Sequence, residues 1–317
     1  MNIDVSIVIV CMNNLKNLYP CLESIKKYTT VSYETLVVAY LFSKENLEKV
    51  KKDFPWVTFI ESNEIRGFSE NNNLALRQAK GKYCFVLNDD TYQNEPVIDK
   101  LVERYKTLDK KVAILSPNIK NPDGSVQHCG RPSINMVEDM LNAFGYIRIL
   151  NSHSKYCNKK GIFKSYNILG AAFLIRTELF RQIGWFDEQY FFCPEDIALS
   201  TKLNNDGYSC MVDSDINITH IGGGTWSKTL VATKPASVRG GCLFFCDNFF
   251  KSIIYRGYWT IMHTLFILYW IVNIRADKEK KLFMIVANRN AIYALWSKKS
   301  PKELFIKFYL ELKGKEG

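Results

Sequence analysis

Four short apolar runs, separated by three stretches of helical spacing, fill the first 87 residues and restrict the fold more than any other feature. Val5 to Val10 (VSIVIV) is continuously apolar around one serine and rich in β-branched residues, as a strand buried on both faces is. Thr35 to Tyr40, Val57 to Ser62 and Lys82 to Leu87 repeat the pattern. Between them, Leu15, Leu18, Leu22 and Ile25 mark a helix over Leu15 to Tyr28, with further helices over Glu45 to Phe54 and from Arg66 to Gln78. Strands alternating with helices predict an α/β, Rossmann-like, mostly parallel sheet with helices on both faces.

The later chain is less regular. A helix is expected over Pro96 to Leu108, a strand over Val112 to Ser116, and a hairpin turn at Asn121-Pro122-Asp123-Gly124. Arg131 to Lys164 is weakly periodic and supports only a helix over Met136 to Phe144. A strand over Asn167 to Arg176, a helix over Thr177 to Ile183, a helix from Pro194 through Asn204 and a strand over Tyr208 to Asp213 complete this part.

Polar groups gather where strands end. The fourth run stops on Asn88-Asp89-Asp90. Ligands of open α/β sheets sit beyond the carboxyl ends of the strands, and oxygen donors there suit Mg²⁺ or Mn²⁺. The same triplet is also ordinary turn chemistry. The first strand leaves through a short polar turn into a helix N-terminus, and Gly67 opens another helix with Asn71, Asn72 and Asn73 in its first turns. Such helix starts are anion sites, and Asn-rich first turns are also simple caps. Neither carries GxGxxG or GxxxxGK[ST], which excludes the dinucleotide and P-loop readings. Glu195-Asp196 follows Phe191, Phe192 and Cys193, a setting that suits a general base as well as a helix cap. His220 precedes Gly222, Gly223 and Gly224, as at the root of a lid.

Composition bounds the partners. A net charge of +10 fits a phosphate-bearing ligand or an acidic membrane surface. Nucleic acid is not expected, because the basic excess surrounds an apolar helix rather than interleaving with aromatics on one face. Nine cysteines without a CxxC pair, and no leader pattern, predict a reduced, cytoplasmic chain.

Seven segments in order resemble the family 2 glycosyltransferases of GT-A fold, closest to rhamnosyltransferase-like enzymes of bacterial surface-polysaccharide synthesis. They are SIVIVCMNN (Ser6–Asn14), RGFSENNN (Arg66–Asn73), FVLNDDT (Phe85–Thr91), NPDGSVQ (Asn121–Gln127), GAAFLIR (Gly170–Arg176), GWFDEQYFFCPED (Gly184–Asp196) and HIGGGT (His220–Thr225). The resemblance implies a catalytic domain over 1–230 and an inverting transfer from a dTDP- or UDP-sugar to a glycan or lipid-linked glycan. It implies Asp90 and His220 as ligands of Mg²⁺ or Mn²⁺, Asp196 as the base and Glu195 as its neighbour in the acceptor site. Cys11, Asn13, Gly67, Asn72, Asn73, Asn88 and Asp89 would line the nucleotide-sugar pocket, with Gly170 and Ala171 on its floor. Relatives carry an Asp after the second strand; here the segment reads Val38-Ala39-Tyr40-Leu41-Phe42-Ser43, so Tyr40 is the candidate to stack on the base. The helix after Asp196 lacks the family's second Asp and Arg, and no QxxRW motif is present, which argues against a processive synthase.

The region 231–317 is helical, basic and aromatic. Tyr258 to Ile274 is a mostly apolar run flanked by Arg256, Arg275, Lys278, Lys280 and Lys281. It falls short of the roughly 20 residues that a spanning helix needs. Helices lying on the anionic inner face of the cell membrane are expected, with a helical appendage or a homo-oligomer contact as the alternatives.

Overall fold

The computed structural model describes residues 3–127, 130–146, 156, 159–222 and 229–314. They divide into two compact units, one of Met1–Ser133, Asn151–Asp187 and Asp196–Gly222, the other of Ile134–Leu150, Glu188–Glu195 and Gly223–Gly317. The described segments 134–146 and 188–195 therefore group with the C-terminal helices, not with the sheet.

The first unit is built on a nine-stranded sheet. Its strands are β1 (Val5–Cys11), β2 (Tyr33–Tyr40), β3 (Thr58–Ser62), β4 (Tyr83–Asn88), β5 (Thr91–Tyr92), β6 (Val112–Lys120), β7 (Ile162–Ser165), β8 (Ala172–Arg176) and β9 (Ser209–His220). They lie in the order β3-β2-β1-β4-β8-β6-β9-β5, with β7 also paired to β9. Strands β3, β2, β1 and β4 are parallel, β8 runs antiparallel between β4 and β6, and β9 is parallel to β6. Helices cover both faces because side chains alternate along each strand. Val5, Ile7 and Ile9 pack with Leu18 and Leu22 of α1 (Leu15–Tyr28) and with Ile98 and Leu101 of α4 (Val97–Lys106). Val8 and Val86 pack with Leu76 of α3 (Phe68–Leu76), Phe180 of α6 (Thr177–Gln182) and Leu203 of α7 (Glu195–Asn205). The remaining early helix, α2, covers Lys44–Asp53.

Four sequence expectations change, the first being the strand expected over Val112 to Ser116, which runs on to Lys120. The strand expected from Asn167 begins only at Ala172, because earlier peptide groups bond elsewhere. Asn167 pairs with Arg131, and the Gly170 N–H turns to Asp196. The strand expected to end at Asp213 runs on to His220. A register shift against β6 absorbs the turn-like Asp213-Ser214-Asp215 as a bulge, and the Asp213 carboxylate accepts the Asp215 N–H. The short strands β5 and β7 carried no readable period. The helix expected over Met136 to Phe144 is α5 (Met136–Leu141) followed by a 3-10 turn over Asn142–Phe144.

The second unit holds α5 and four long helices, α8 (Leu230–Phe245), α9 (Phe249–Val272), α10 (Lys278–Trp296) and α11 (Pro301–Lys313). Phe191 stacks on Phe305 with centroids 4.6 Å apart, so the aromatic segment before Glu195 belongs to this core. Gly240 lets α8 approach that segment, since a Cβ there would lie 2.5 Å from the Cys193 carbonyl oxygen. Among the described residues no helix is long and apolar enough to cross a membrane. The seven described cysteines are free thiols.

A buried polar cluster crosses this unit. The His263 Nδ1–H donates to Asn288 Oδ1 over 2.9 Å, and Lys234 Nζ donates to the same oxygen over 2.6 Å. The Asn288 amide is oriented by its own donation to the Met284 carbonyl. Trp259 stacks on the imidazole, whose Nε2 is buried without a hydrogen-bond partner. Burial first, and the Lys234 charge second, pull His263 down to about 4. In the unfolded chain its pKa returns to about 6.5. Unfolding at lower pH is therefore favoured by proton uptake, and stability present above about 6.5 is lost as pH falls towards 4, by about 3 kcal/mol at the limit. We expect chemical denaturation at pH 7 and pH 4.5 to give a smaller loss of stability for His263→Gln than for the wild type. An identical loss in both would remove His263 as the cause.

Candidate active site

The antiparallel insertion of β8 creates the site. Leu87 pairs with Ala172, so the end of β4 meets the start of β8. The Asn88 N–H donates to Ala171 O over 2.9 Å, and the Gly170 N–H donates to Asp196 Oδ2 over 3.2 Å. Asp196 Oδ1 accepts the Ile197 N–H over 2.8 Å. Asp196 thus meets two backbone amides. Gly170 makes this approach easy, because a Cβ there would lie 3.2 Å from Asp196 Cβ.

A second set of contacts ties Asp90 to His220. Strand β5, immediately after Asp90, pairs antiparallel with the end of β9, with Thr91 opposite His220. His220 Nε2 lies 3.1 Å from Asp90 Oδ1 and 3.4 Å from Asn88 Nδ2. Asp90 Oδ2 accepts the Gly222 N–H over 3.1 Å, and Asp90 O accepts the Ile221 N–H over 3.0 Å. Gly222 has φ +73°, a conformation that favours glycine. Both side chains of the pair are largely enclosed, at 13% exposure for Asp90 and 12% for His220. On the far side of the ring, Nδ1 faces Gln127 Oε1 at 2.8 Å. Gly223, Gly224 and Thr225, the remainder of the expected lid root, lie outside the described residues.

Asp89, next in the chain to Asp90, is hydrogen-bonded to Cys11. Burial pushes the Asp89 carboxyl up to about 7; the Cys11 bond pulls it down and the Asp90 charge raises it. The Cys11 thiol is pushed well up by burial and then by Asp89. Thr91 Oγ1 donates to Asn88 O over 2.7 Å, closing the turn.

The other expected nucleotide contacts divide. Asn13 is exposed in a left-handed turn at φ +49°, and its Oδ1 accepts from Ser43 N and Asn46 Nδ2, joining the β1 turn to the start of α2. Asn72 and Asn73, in contrast, face inwards. Asn72 Nδ2 donates to Phe68 O, while the Asn73 amide donates to Phe186 O and accepts from Phe186 N. The Gly67 N–H, expected at an anion, is taken by the Glu70 carboxylate over 3.1 Å. Tyr40 is 7% exposed, packed in the core below α3, with its hydroxyl accepting the Arg66 N–H. A ring so enclosed offers no open face for a base; a strand-end tyrosine looks the same in sequence whether it points in or out. Glu195, half-buried, is the first residue of α7. Gln127 and Gly222 complete the surroundings of the Asp90–His220 pair. The Asn-Pro-Asp-Gly-Ser-Val-Gln motif signalled the first, and the glycine run after His220 the second.

Among the described residues no group of three or more His, Cys, Asp or Glu could hold a metal. A two-residue donor set of one carboxylate and one imidazole still fits Mg²⁺ or Mn²⁺, which keep waters and bind substrate phosphates. A fit is also visible in the pair itself. Gln127 Oε1 can only accept, so Nδ1 carries a proton, and on a neutral ring the Nε2 lone pair then faces a carboxylate oxygen at 3.1 Å. A divalent cation, like a second proton on the ring, would reconcile two such acceptors.

The sequence model of glycosyl transferase family 2 matches residues 6–184, more than half of the chain. The chain belongs to glycosyl transferase family 2. Its curated relatives in this family include the O-antigen biosynthesis protein RfbC of Myxococcus xanthus, 25% identical over 159 residues, which are 47% of this chain and 12% of the relative. An N-acetylglucosaminyl-diphospho-decaprenol L-rhamnosyltransferase of Mycobacterium tuberculosis is 26% identical over 143 residues, 44% of this chain and 46% of that protein. The chain thus spans less than half the length of these relatives. Among solved structures it is similar to GalNAc-T7 with UDP, GalNAc and Mn²⁺, with a TM-score of 0.58 and 18% identity, covering 99% of this chain and 58% of that one. It is also similar to the mannosyltransferase PcManGT of Pyrobaculum calidifontis in complex with GDP-Man and Mn²⁺, with a TM-score of 0.56 and 13% identity, covering 94% and 89%. These likenesses establish the GT-A fold, a mostly parallel mixed sheet with helices.

Proposed function

We propose that this family 2 chain is an inverting glycosyltransferase of bacterial surface-polysaccharide synthesis. It moves a sugar from a nucleoside-diphosphate donor to a hydroxyl of a glycan or lipid-linked glycan. One observation carries the reading. Asp90 and His220 face each other at 3.1 Å, and Asp196 is hydrogen-bonded to Gly170, next to the Ala171 that binds Asn88. A phosphate-side pair and a carboxylate base thus share one sheet edge. The relatives' names supply the acceptor class, and the solved neighbours, crystallised with UDP or GDP-sugar and Mn²⁺, supply the donor class.

In this mechanism Asp196 accepts the proton of the acceptor hydroxyl as its oxygen bonds to the anomeric carbon. The bond from that carbon to the diphosphate breaks on the opposite side, so the configuration inverts. The Gly170 and Ile197 amides fix the Asp196 carboxylate, and Glu195 orients the acceptor. Asp90 and His220 would hold the divalent ion. Bound there, Mg²⁺ or Mn²⁺ supplies Lewis-acid neutralisation of the charge on the leaving diphosphate. Asn13 and Asn88 border the donor, with dTDP and UDP as the nucleotides to try first.

The helical unit supports a peripheral site on an anionic membrane. Phe250, Ile254, Ile261, Leu265, Leu268 and Val272 are all at least half exposed and recur at intervals of three, four or seven along α9. They form one apolar face, which a soluble surface rarely leaves uncovered. Arg275, Lys278, Lys280 and Lys281 follow it directly. An apolar face ending in cations fits the headgroup boundary of an anionic bilayer.

Asp196→Asn keeps the size and one of the two backbone hydrogen bonds but accepts no proton, so turnover should fall about 10²–10⁴-fold with donor binding unchanged. Glu195→Gln should be milder. Normal turnover in both, measured as nucleoside diphosphate released with Mn²⁺, would remove the pair from the mechanism. Absence of donor cleavage and of transfer in the wild type would leave a carbohydrate-binding scaffold. Asp90→Ala should abolish transfer and weaken UDP or dTDP binding in Mn²⁺ far more than in EDTA; equal weakening in both rejects the metal role. On membranes, Ile261→Asp with Leu265→Asp should release the chain from phosphatidylglycerol vesicles in flotation. Binding equal to wild type, or a wild type that ignores the vesicles and dimerises, assigns the face elsewhere.

A further inference from the structure

We propose that Gln127 is a positioning residue: it fixes the His220 ring with its proton on Nδ1 and leaves Nε2 as an electron-pair donor towards Asp90. The inference rests on the reading of Asp90 and His220 as the metal-holding pair. The orientation of the amide is decided by its neighbours. Gln127 Nε2 lies 2.6 Å from Asn121 Oδ1 and 2.7 Å from the His220 carbonyl oxygen. A carbonyl oxygen can only accept, so the NH₂ group occupies that side and Oε1 is turned to Nδ1 at 2.8 Å. Oε1 in turn can only accept, so Nδ1 must carry a proton, and a neutral ring then has none on Nε2. Nε2, 3.1 Å from Asp90 Oδ1, is then available to a cation.

The hairpin that carries Gln127 is built to hold this amide still. Asn121 N donates to Ser125 O over 2.8 Å, and Gly124 N donates to Asn121 O over 2.9 Å, with Gly124 at φ +84°. Ser125 Oγ donates to Asp123 Oδ1 over 2.6 Å and accepts from Asn121 Nδ2 over 2.8 Å, which leaves Asn121 Oδ1 facing Gln127. Gln127 N donates to Ile119 O over 2.8 Å, docking the returning strand on β6. Every polar residue of Asn-Pro-Asp-Gly-Ser-Val-Gln is thereby engaged, in the turn or in the hold on His220. Partners of this kind on ligating histidines set tautomer and ring orientation, and their loss costs about 10–100-fold in metal affinity.

The test is long-range ¹H–¹⁵N correlation of the histidine rings in metal-free full-length protein at pH 8, with His220→Gln to assign the signal. Wild type should show His220 protonated at Nδ1, and Gln127→Leu, which keeps the volume, should move the proton to Nε2, towards Asp90. Mn²⁺ binding, followed by the free-ion electron paramagnetic resonance signal in the presence of UDP, should weaken about 10–100-fold in Gln127→Leu. A wild-type ring protonated only at Nε2, or an unchanged tautomer and unchanged Mn²⁺ affinity in the variant, overturns the assignment. Asp90→Asn separates the two readings. If it binds Mn²⁺ as the wild type does, the metal pair fails, while the tautomer in metal-free protein still decides the role of Gln127.

Discussion

The pairing of β4 with β8 is the constraint on which the rest of the site depends. In an all-parallel sheet, the residues at the carboxyl edge come from loops that leave the strands. Reversing one strand brings the start of β8 to that edge, so Gly170 and Ala171 arrive beside Asn88. The next two strands then point the same way as β4, and β9 delivers His220 to the same edge. The two-residue strand β5 closes the circuit by pairing Thr91 with His220. Asp90 has little freedom left, since its main-chain and side-chain oxygens are both bound by the segment after β9.

The chain treats its two best-described histidines alike, with different outcomes. In each, Nδ1 is bonded to a side-chain amide oxygen whose orientation is set by a carbonyl on the amide's other side. For His263 the remaining nitrogen is enclosed without a partner, and burial holds the ring neutral. For His220 the remaining nitrogen faces a carboxylate and an asparagine amide. The first arrangement serves packing between helices. The second is the arrangement on which the proposed cation site rests. Hydrogen-bond geometry, not residue type, makes the difference.

The two units also differ in where they leave apolar surface. In the sheet unit, both faces are covered and the large side chains are enclosed between helix and strand. In the helical unit, α9 buries Tyr255, Met262 and His263 but keeps an apolar row outward. Only three side chains of this 24-residue helix are fully buried. Its outward face, followed by cations, is the surface from which a peripheral membrane role is argued.

Periodicity alone determined the first seven elements nearly to the residue, because β-branched runs and i, i+3, i+4 spacing encode burial locally. The motifs also identified family membership, and the Asp90–His220 and Glu195–Asp196 candidates, since local runs preserve strand ends and helix starts. Tertiary structure decided the rest. Whether Tyr40, Asn72 and Asn73 face a pocket or the core depends on what packs over α3 and β2, and the chain there reads the same in either case. The extent of β9 depended on a bulge against β6, and the short reach of β8 on bonds to Arg131 and Asp196. Gln127 stood in plain view as the last letter of a turn motif. Its meaning came only when the hairpin laid it against His220, 93 residues away, because a hydrogen bond is decided by distance in space and a motif only by distance along the chain.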